Sequence, residues 1–144
     1  MNPSPTWKDI VAFLDSQLEQ RVMRGSVPTA ETLLRKDGQI VPYCVVRFST
    51  PGRSYTGSGF GGARHDSFFS FCDVMCVAQN DEIAGDVSGL VLDKLIGYRP
   101  VNASQMTPRA APGQFSVLDS ADKPQAEISI ASFQFNYNFS DVAN

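Results

Sequence analysis

The segment HDSFFSFCDVMCVAQ, residues 65–79, constrains this chain more than any other. It is dense in aromatic and β-branched residues and predicts one long strand. Both of its alternating faces are largely apolar. Phe69, Phe71, Met75 and Val77 share one face; Phe68, Cys72, Val74 and Cys76 share the other. One layer of two helices cannot cover both faces, and exposed aromatic strand faces point to an interface, so this strand carries the strongest hint of assembly. The 144 residues suit a single domain, 1–144, able to bury roughly 70% of the surface its unfolded form exposes.

Trp7, Ile10, Val11, Leu14, Leu18 and Val22 recur at helical spacing and predict a helix from about Thr6 to Arg24, ended by Gly25. Ser4 with Pro5 at the first helical position is the alternative start. A connector follows, with a short helical turn at Ala30–Leu34. IVPYCVVRFS, residues 40–49, predicts a strand that forms a hairpin with 65–79. Between them TPGRSYTGSGFGGAR, residues 50–64, holds five glycines and a proline and predicts a long pliable loop at the hairpin tip.

NDEIAGDVSGLVLDKLIGYRP predicts a second helix. Asn80 or Asp81 caps it, Ile83, Ala84, Val87, Leu90, Val91 and Leu95 form its buried stripe, and Gly97 and Pro100 stop it. After a linker rich in small residues come two strands, 114–120 and 126–140, joined by ADKP. In the last one, Ile128 and Ile130 are in one phase and Phe133, Phe135, Tyr137 and Phe139 in the other. A bulge near Ala131–Ser132 would explain the switch, as would a second half facing a different partner. The expected fold is α+β: a mixed, mainly antiparallel four-stranded sheet with two helices packed on one face.

GSGFGG, residues 57–62, matches the glycine pattern of dinucleotide-binding turns. That pattern works only where a helix N-terminus follows to meet the phosphates. Here a strand-forming run follows, so no nucleotide or other cofactor is expected. The segment predicts a partner-contact loop instead. Arg53, Gly57, Gly59, Phe60 and Arg64 are its candidate contacts, with the two arginines suited to an acidic partner or DNA.

Cys72 and Cys76 share a strand face but stand about 13 Å apart at roughly 3.3 Å per residue, too far for a disulfide or a zinc site. His65, the only histidine, is about 23 Å from Cys72 on the same reckoning. Cys44 is its weaker partner, and Asp66 beside it suggests a surface pair. No metal site and no catalytic residues are expected.

A net charge of −3 with scattered basic residues argues against a general nucleic-acid binder. Three cysteines, an odd and low number, suggest free thiols in a reducing compartment. The start of the chain lacks a cationic and apolar leader, and no run reaches the roughly 18 apolar residues of a membrane span. In the second helix Gly85 and Gly89 each cost about 1 kcal/mol relative to Ala, so close approach of another backbone is expected there. That backbone is the chain's own sheet or a neighbouring subunit. Phe133, Phe135 and Tyr137 join Gly85 and Gly89 as candidate subunit-interface residues.

IVAFLDSQLEQRV at the start, VPYCVVRFS for the first core strand, DSFFSFCDVMCVAQNDEIAGDVSGLVLDKLIGYRP for strand plus helix, and SFQFNYNFS at the close form a pattern spanning most of the chain. In order and size it resembles the tail terminator proteins of long-tailed, lambda-type bacteriophages. The resemblance implies a mixed sheet with helices on one face. It implies a non-enzymatic virion protein, assembled in the host cytoplasm, that forms a hexameric ring on the tail tube. That ring stops tube polymerisation and offers a surface to the head. The implied partners are further copies of itself, the tail tube protein and a head-completion or neck protein, with no membrane and with DNA only passing through the ring. The glycine-rich loop departs from the pattern, so analogy assigns it no contact. Head-completion and neck connector proteins are the near alternative; a small cytosolic enzyme or ligand-binding domain is the distant one.

Overall fold

The computed structural model describes residues 2–58, 64–110 and 113–138, with the side chains of 54–58 and 64–67 excepted. It is an α+β fold built on one large mixed sheet. Helix α1 (Ser4–Gln17) is followed by β1 (Arg21–Arg24), the small β2 (Arg35–Lys36) and β3 (Gln39–Ile40), then β4 (Tyr43–Phe48), β5 (Gly52–Ser58) and β6 (Arg64–Ala78). Helix α2 (Asp81–Leu95), β7 (Thr107–Arg109), β8 (Gln114–Leu118) and β9 (Pro124–Tyr137) complete the order.

The main sheet has seven strands among the described residues, in the order β1-β4-β6-β9-β7, with β5 also on β6 and β8 also on β9. β1 runs parallel to β4; every other pairing is antiparallel. The sheet is therefore larger than the expected four strands, and mixed. β6 is its spine, pairing with β4 and β5 along one edge and with β9 along the other.

Three extra strands account for the difference. The helical periodicity runs on to Val22, but α1 stops at Gln17, where Leu18 turns extended at φ −113° and ψ 149°. Arg21–Arg24 leaves the helix to pair with β4. Pairing with a neighbouring strand overrides a local pattern that suited either structure. The start at Ser4, with proline in the first turn, is the alternative foreseen. The segment 50–64 is not a loop throughout: Gly52–Ser58 pairs with β6, with a register irregularity between Tyr55 and Ser58. A long exposed edge on β6 gives even a glycine-rich segment a ladder to complete. Thr107–Arg109, within the expected linker, pairs with β9.

No helix forms at Ala30–Leu34; the segment holds only a turn, in which the Thr32 amide donates to the Thr29 carbonyl at 2.9 Å. Asp37 and Gly38, at φ 53° and 79°, make the tight turn of the β2–β3 hairpin. Asp-Gly is the residue pair this turn favours, because both positions need φ above zero. Helix α2 forms with the expected ends: the Asn80 side chain accepts a hydrogen bond from the Ile83 amide, and Gly97 at φ 79° ends the segment. Its buried stripe is narrower than expected, because Ala84, Val87, Val91 and Leu95 are buried while Ile83 and Leu90 are exposed.

No bulge forms at Ala131–Ser132. β9 and β6 keep one register from Phe68↔Tyr137 to Ala78↔Glu127. The phase switch has another cause, which is that each face of the sheet has its own core. On the helix face, Ile10 and Leu14 of α1 and Val87, Val91 and Leu95 of α2 pack with Cys44, Val46, Cys72, Val74, Phe133, Phe135 and Tyr137. On the opposite face Leu33 and Ile40, from the connector carrying β2 and β3, pack with Tyr43, Val45, Met75, Val77, Val117 and Ile128. Ile128 and the Phe133–Tyr137 run thus point to opposite faces, and each is buried by its own chain.

Candidate interaction surfaces

Four hydroxyl and ring groups lock α1 to the sheet. Trp7 Nε1 donates to Tyr137 Oη at 2.7 Å, Tyr137 Oη lies 2.6 Å from Ser70 Oγ, and Ser70 Oγ donates to the Ser49 carbonyl at 3.1 Å. Since the Ser70 proton goes to Ser49, Tyr137 donates to Ser70 and each group in the chain is satisfied. Burial raises the Tyr137 phenol pKa, and the bonds to Ser70 and Trp7 pull against that rise. Nearby, Asp9 accepts from the Tyr98 hydroxyl at 2.9 Å and the Val101 amide at 2.8 Å. Tyr98 stacks on Phe13 with centroids 3.7 Å apart.

These contacts correct the interface expectation for the aromatic strand. Phe133, Phe135 and Tyr137 are at most 5% exposed within one subunit. Tyr137 meets Phe135 edge-on at 5.1 Å, and Phe135 meets Phe48 edge-on at 6.4 Å. Their surplus apolar area is consumed by α1, α2 and their own sheet. The two helix glycines divide. A Cβ at Gly85 would meet Gln114 Nε2 of β8 at 3.2 Å, so the chain's own sheet makes the close approach there. A Cβ at Gly89 would meet nothing within 4 Å.

Arg53 lies on β5 with its guanidinium 5.4 Å from the Phe68 ring. Gly57 is a β5 residue and Arg64 begins β6, where they sit within paired strands rather than a loop. Gly59 and Phe60 lie outside the described residues, and so do the side chains of Arg64, His65 and Asp66.

The cysteines are buried and free. Cys44 and Cys76 are register partners across β4 and β6, with sulfurs 3.9 Å apart. The hydrogen bond from Cys44, ahead of burial, pushes the Cys76 thiol upward in pKa; burial does the same for Cys72. Among the described residues no group of three or more His, Cys, Asp or Glu side chains is placed to hold a metal ion. No described helix is long and apolar enough to cross a membrane.

What the sheet leaves open is more informative. Beyond the second core, the same face carries Phe69, Phe71 and Asp73 of β6, with Arg47 of β4, Gln134 of β9 and Arg109 of β7 in the neighbouring rows. Phe69 and Phe71 belong to neither core cluster and are only partly buried. Phe69 and Phe71 lie 5.5 Å apart, and the Arg109 guanidinium sits 3.6 Å over the Phe71 ring. On the helix face Arg24 covers both Trp7, at 5.1 Å, and Phe48, at 5.5 Å, and these two rings are stacked. Arginine thus caps aromatic rings at three places along this end of the sheet, which holds cationic charge over apolar surface.

Among the described residues four outer strand sides pair with no further strand, those of β1 and β5 along one side of the sheet and those of β7 and β8 along the other. Beside β1 lies a cavity of about 470 Å³ lined by Arg21, Leu34, Arg35, Val41 and Tyr43, among others. The Tyr43 hydroxyl is buried without a hydrogen bond of ordinary geometry. Burial raises the Tyr43 phenol pKa, and the backbone of Leu34 acts in the opposite sense.

Compared with known proteins, the chain matches no protein-family model and no curated protein.

Proposed function

We propose that this chain is a structural virion protein that caps a phage tail tube as a ring of like subunits, stops tube growth and presents the head-joining surface. The observation that carries the proposal is the amount of sheet left free for contact. Among the described residues the outer sides of β1, β5, β7 and β8 pair with no strand, and the part of one face that carries Phe69, Phe71 and Arg109 lies outside both core clusters. Open edges and uncovered aromatic faces are liabilities in a solitary protein and docking surfaces in an assembly. The sequence resemblance to lambda-type tail terminators gives this surface its setting, and six subunits rests on that resemblance alone. The role needs binding surfaces and no chemical step. Its partners are further copies of itself, the tube protein and a head-completion or neck protein.

A phage lacking the protein separates this role from its neighbour. Loss of a terminator gives tails of uncontrolled length that carry no heads. Tails of normal length that fail to join heads would assign the chain to the neck instead. Normal virions would refute both.

A further inference from the structure

Building on the ring reading, we infer that subunits join edge to edge, the open side of β1 on one copy receiving the open side of β8 on the next. Three observations meet here. First, strand direction fits. β1 runs with β4, while β4 opposes β6, β6 opposes β9 and β9 opposes β8. β1 and β8 therefore run in opposite directions, and copies turned about a ring axis meet as an antiparallel pair, the pairing that needs no crossover. The two edges are different surfaces, as a head-to-tail ring requires.

Second, the faces fit. One row crosses the whole sheet through Arg21, Tyr43, Val77, Ile128 and Phe115. Phe115, 38% exposed at the β8 edge, projects from the same face that carries the cavity beside β1. Val41 in that cavity is 54% exposed and Leu34 38%. An aromatic knob at one edge and an apolar hollow at the other are complementary on a shared face.

Third, the charges fit. Arg21 and Arg24 stand on β1 and Lys36 lines the hollow beside it, against Glu19, while Arg35 already donates to Gln125 of β9 in its own subunit. Asp119 and Asp122 in the β8–β9 turn and Glu127 at the start of β9 stand at the other edge against Lys123. Opposite potentials on the two edges favour this join and disfavour like edges meeting.

The test uses two full-length variants that each block one edge. Val41→Asp spoils the hollow and Phe115→Asp the knob; thermal melts confirm that each folds. Sedimentation and native mass spectrometry follow wild type, each variant and an equal mixture. Each variant alone is expected to self-associate at least tenfold more weakly than wild type. The mixture is expected to give a one-to-one heterodimer and nothing larger, because only one good interface remains. If wild type assembles and either variant assembles as well as it does, or the mixture stays monomeric, the edge pairing is overturned while the ring stands. If wild type assembles neither alone nor on tube ends, the ring reading fails and this inference falls with it.

Discussion

Phe135→Ala separates a core residue from an interface residue. Phe135 is 2% exposed in a single subunit and is boxed in by Tyr137 at 5.1 Å and Phe48 at 6.4 Å. Truncating a buried phenylalanine removes its transfer energy and leaves a cavity, together about 3–5 kcal/mol. Against a domain stability of roughly 5–15 kcal/mol, that is a large share. For a chain of this size each kcal/mol moves the melting point by roughly 2–4 °C, so a drop of about 6–20 °C is expected. Urea unfolding of wild type and variant at several protein concentrations is the assay. The lost stability should appear in the monomer and should not vary with concentration. A loss below about 1 kcal/mol, or one confined to assembled protein, would refute the placement of Phe135 in the subunit core.

Four further outcomes are expected. Tyr137→Phe leaves the Trp7 indole N–H without its acceptor and removes the bond Ser70 accepts, while Ser70 still donates to Ser49, and should cost about 1–3 kcal/mol in the same unfolding assay. Burial, with the bond to Asp9 adding to it, raises the Tyr98 phenol from 10.0 to about 12; the folded state then holds its proton longer than the unfolded one. Its contribution is complete below pH 10 and is lost as pH rises through about 12, and Tyr98→Phe should flatten that part of the stability curve. Cys44, Cys72 and Cys76 should resist alkylation in the native protein and all react in denaturant; rapid native labelling would contradict their burial. Gly89→Ala has open space around the added methyl and should stabilise the isolated subunit by about 1 kcal/mol, whereas any loss in its melting point would place a close neighbour there.

Much of the scaffold was legible because its signals are local. The Asn80 cap, the stripe Ala84–Val87–Val91–Leu95 and the terminating Gly97 place α2 within a residue or two. The two-faced apolar pattern of 65–79 marked the central strand, and a core covers each face over Cys72–Val77, while Phe69 and Phe71 lie outside both cores. What escaped depends on distant partners. Val22 suits a helix or a strand, and pairing with Cys44 decides for the strand. Gly52–Ser58 has poor strand chemistry, and the length of β6 supplies its ladder. Asp37-Gly38 carried a readable turn signal that the helical expectation for this connector passed over.

The candidate site divides in the same way. Surplus apolar strand face was read as a subunit interface, but α1, α2 and the β2–β3 connector cover most of it. A sequence shows how much face must be covered; it does not show which segment covers it. The proposed contact surface is therefore Phe69, Phe71 and the sheet edges rather than the Phe133–Tyr137 run.

Electron microscopy of tail tubes incubated with the purified chain tests the central proposal most directly. A terminator should appear as a ring at one end of each tube and should hold tube length constant when free tube protein is added. Tubes with bare ends that keep growing in the presence of excess protein would contradict it.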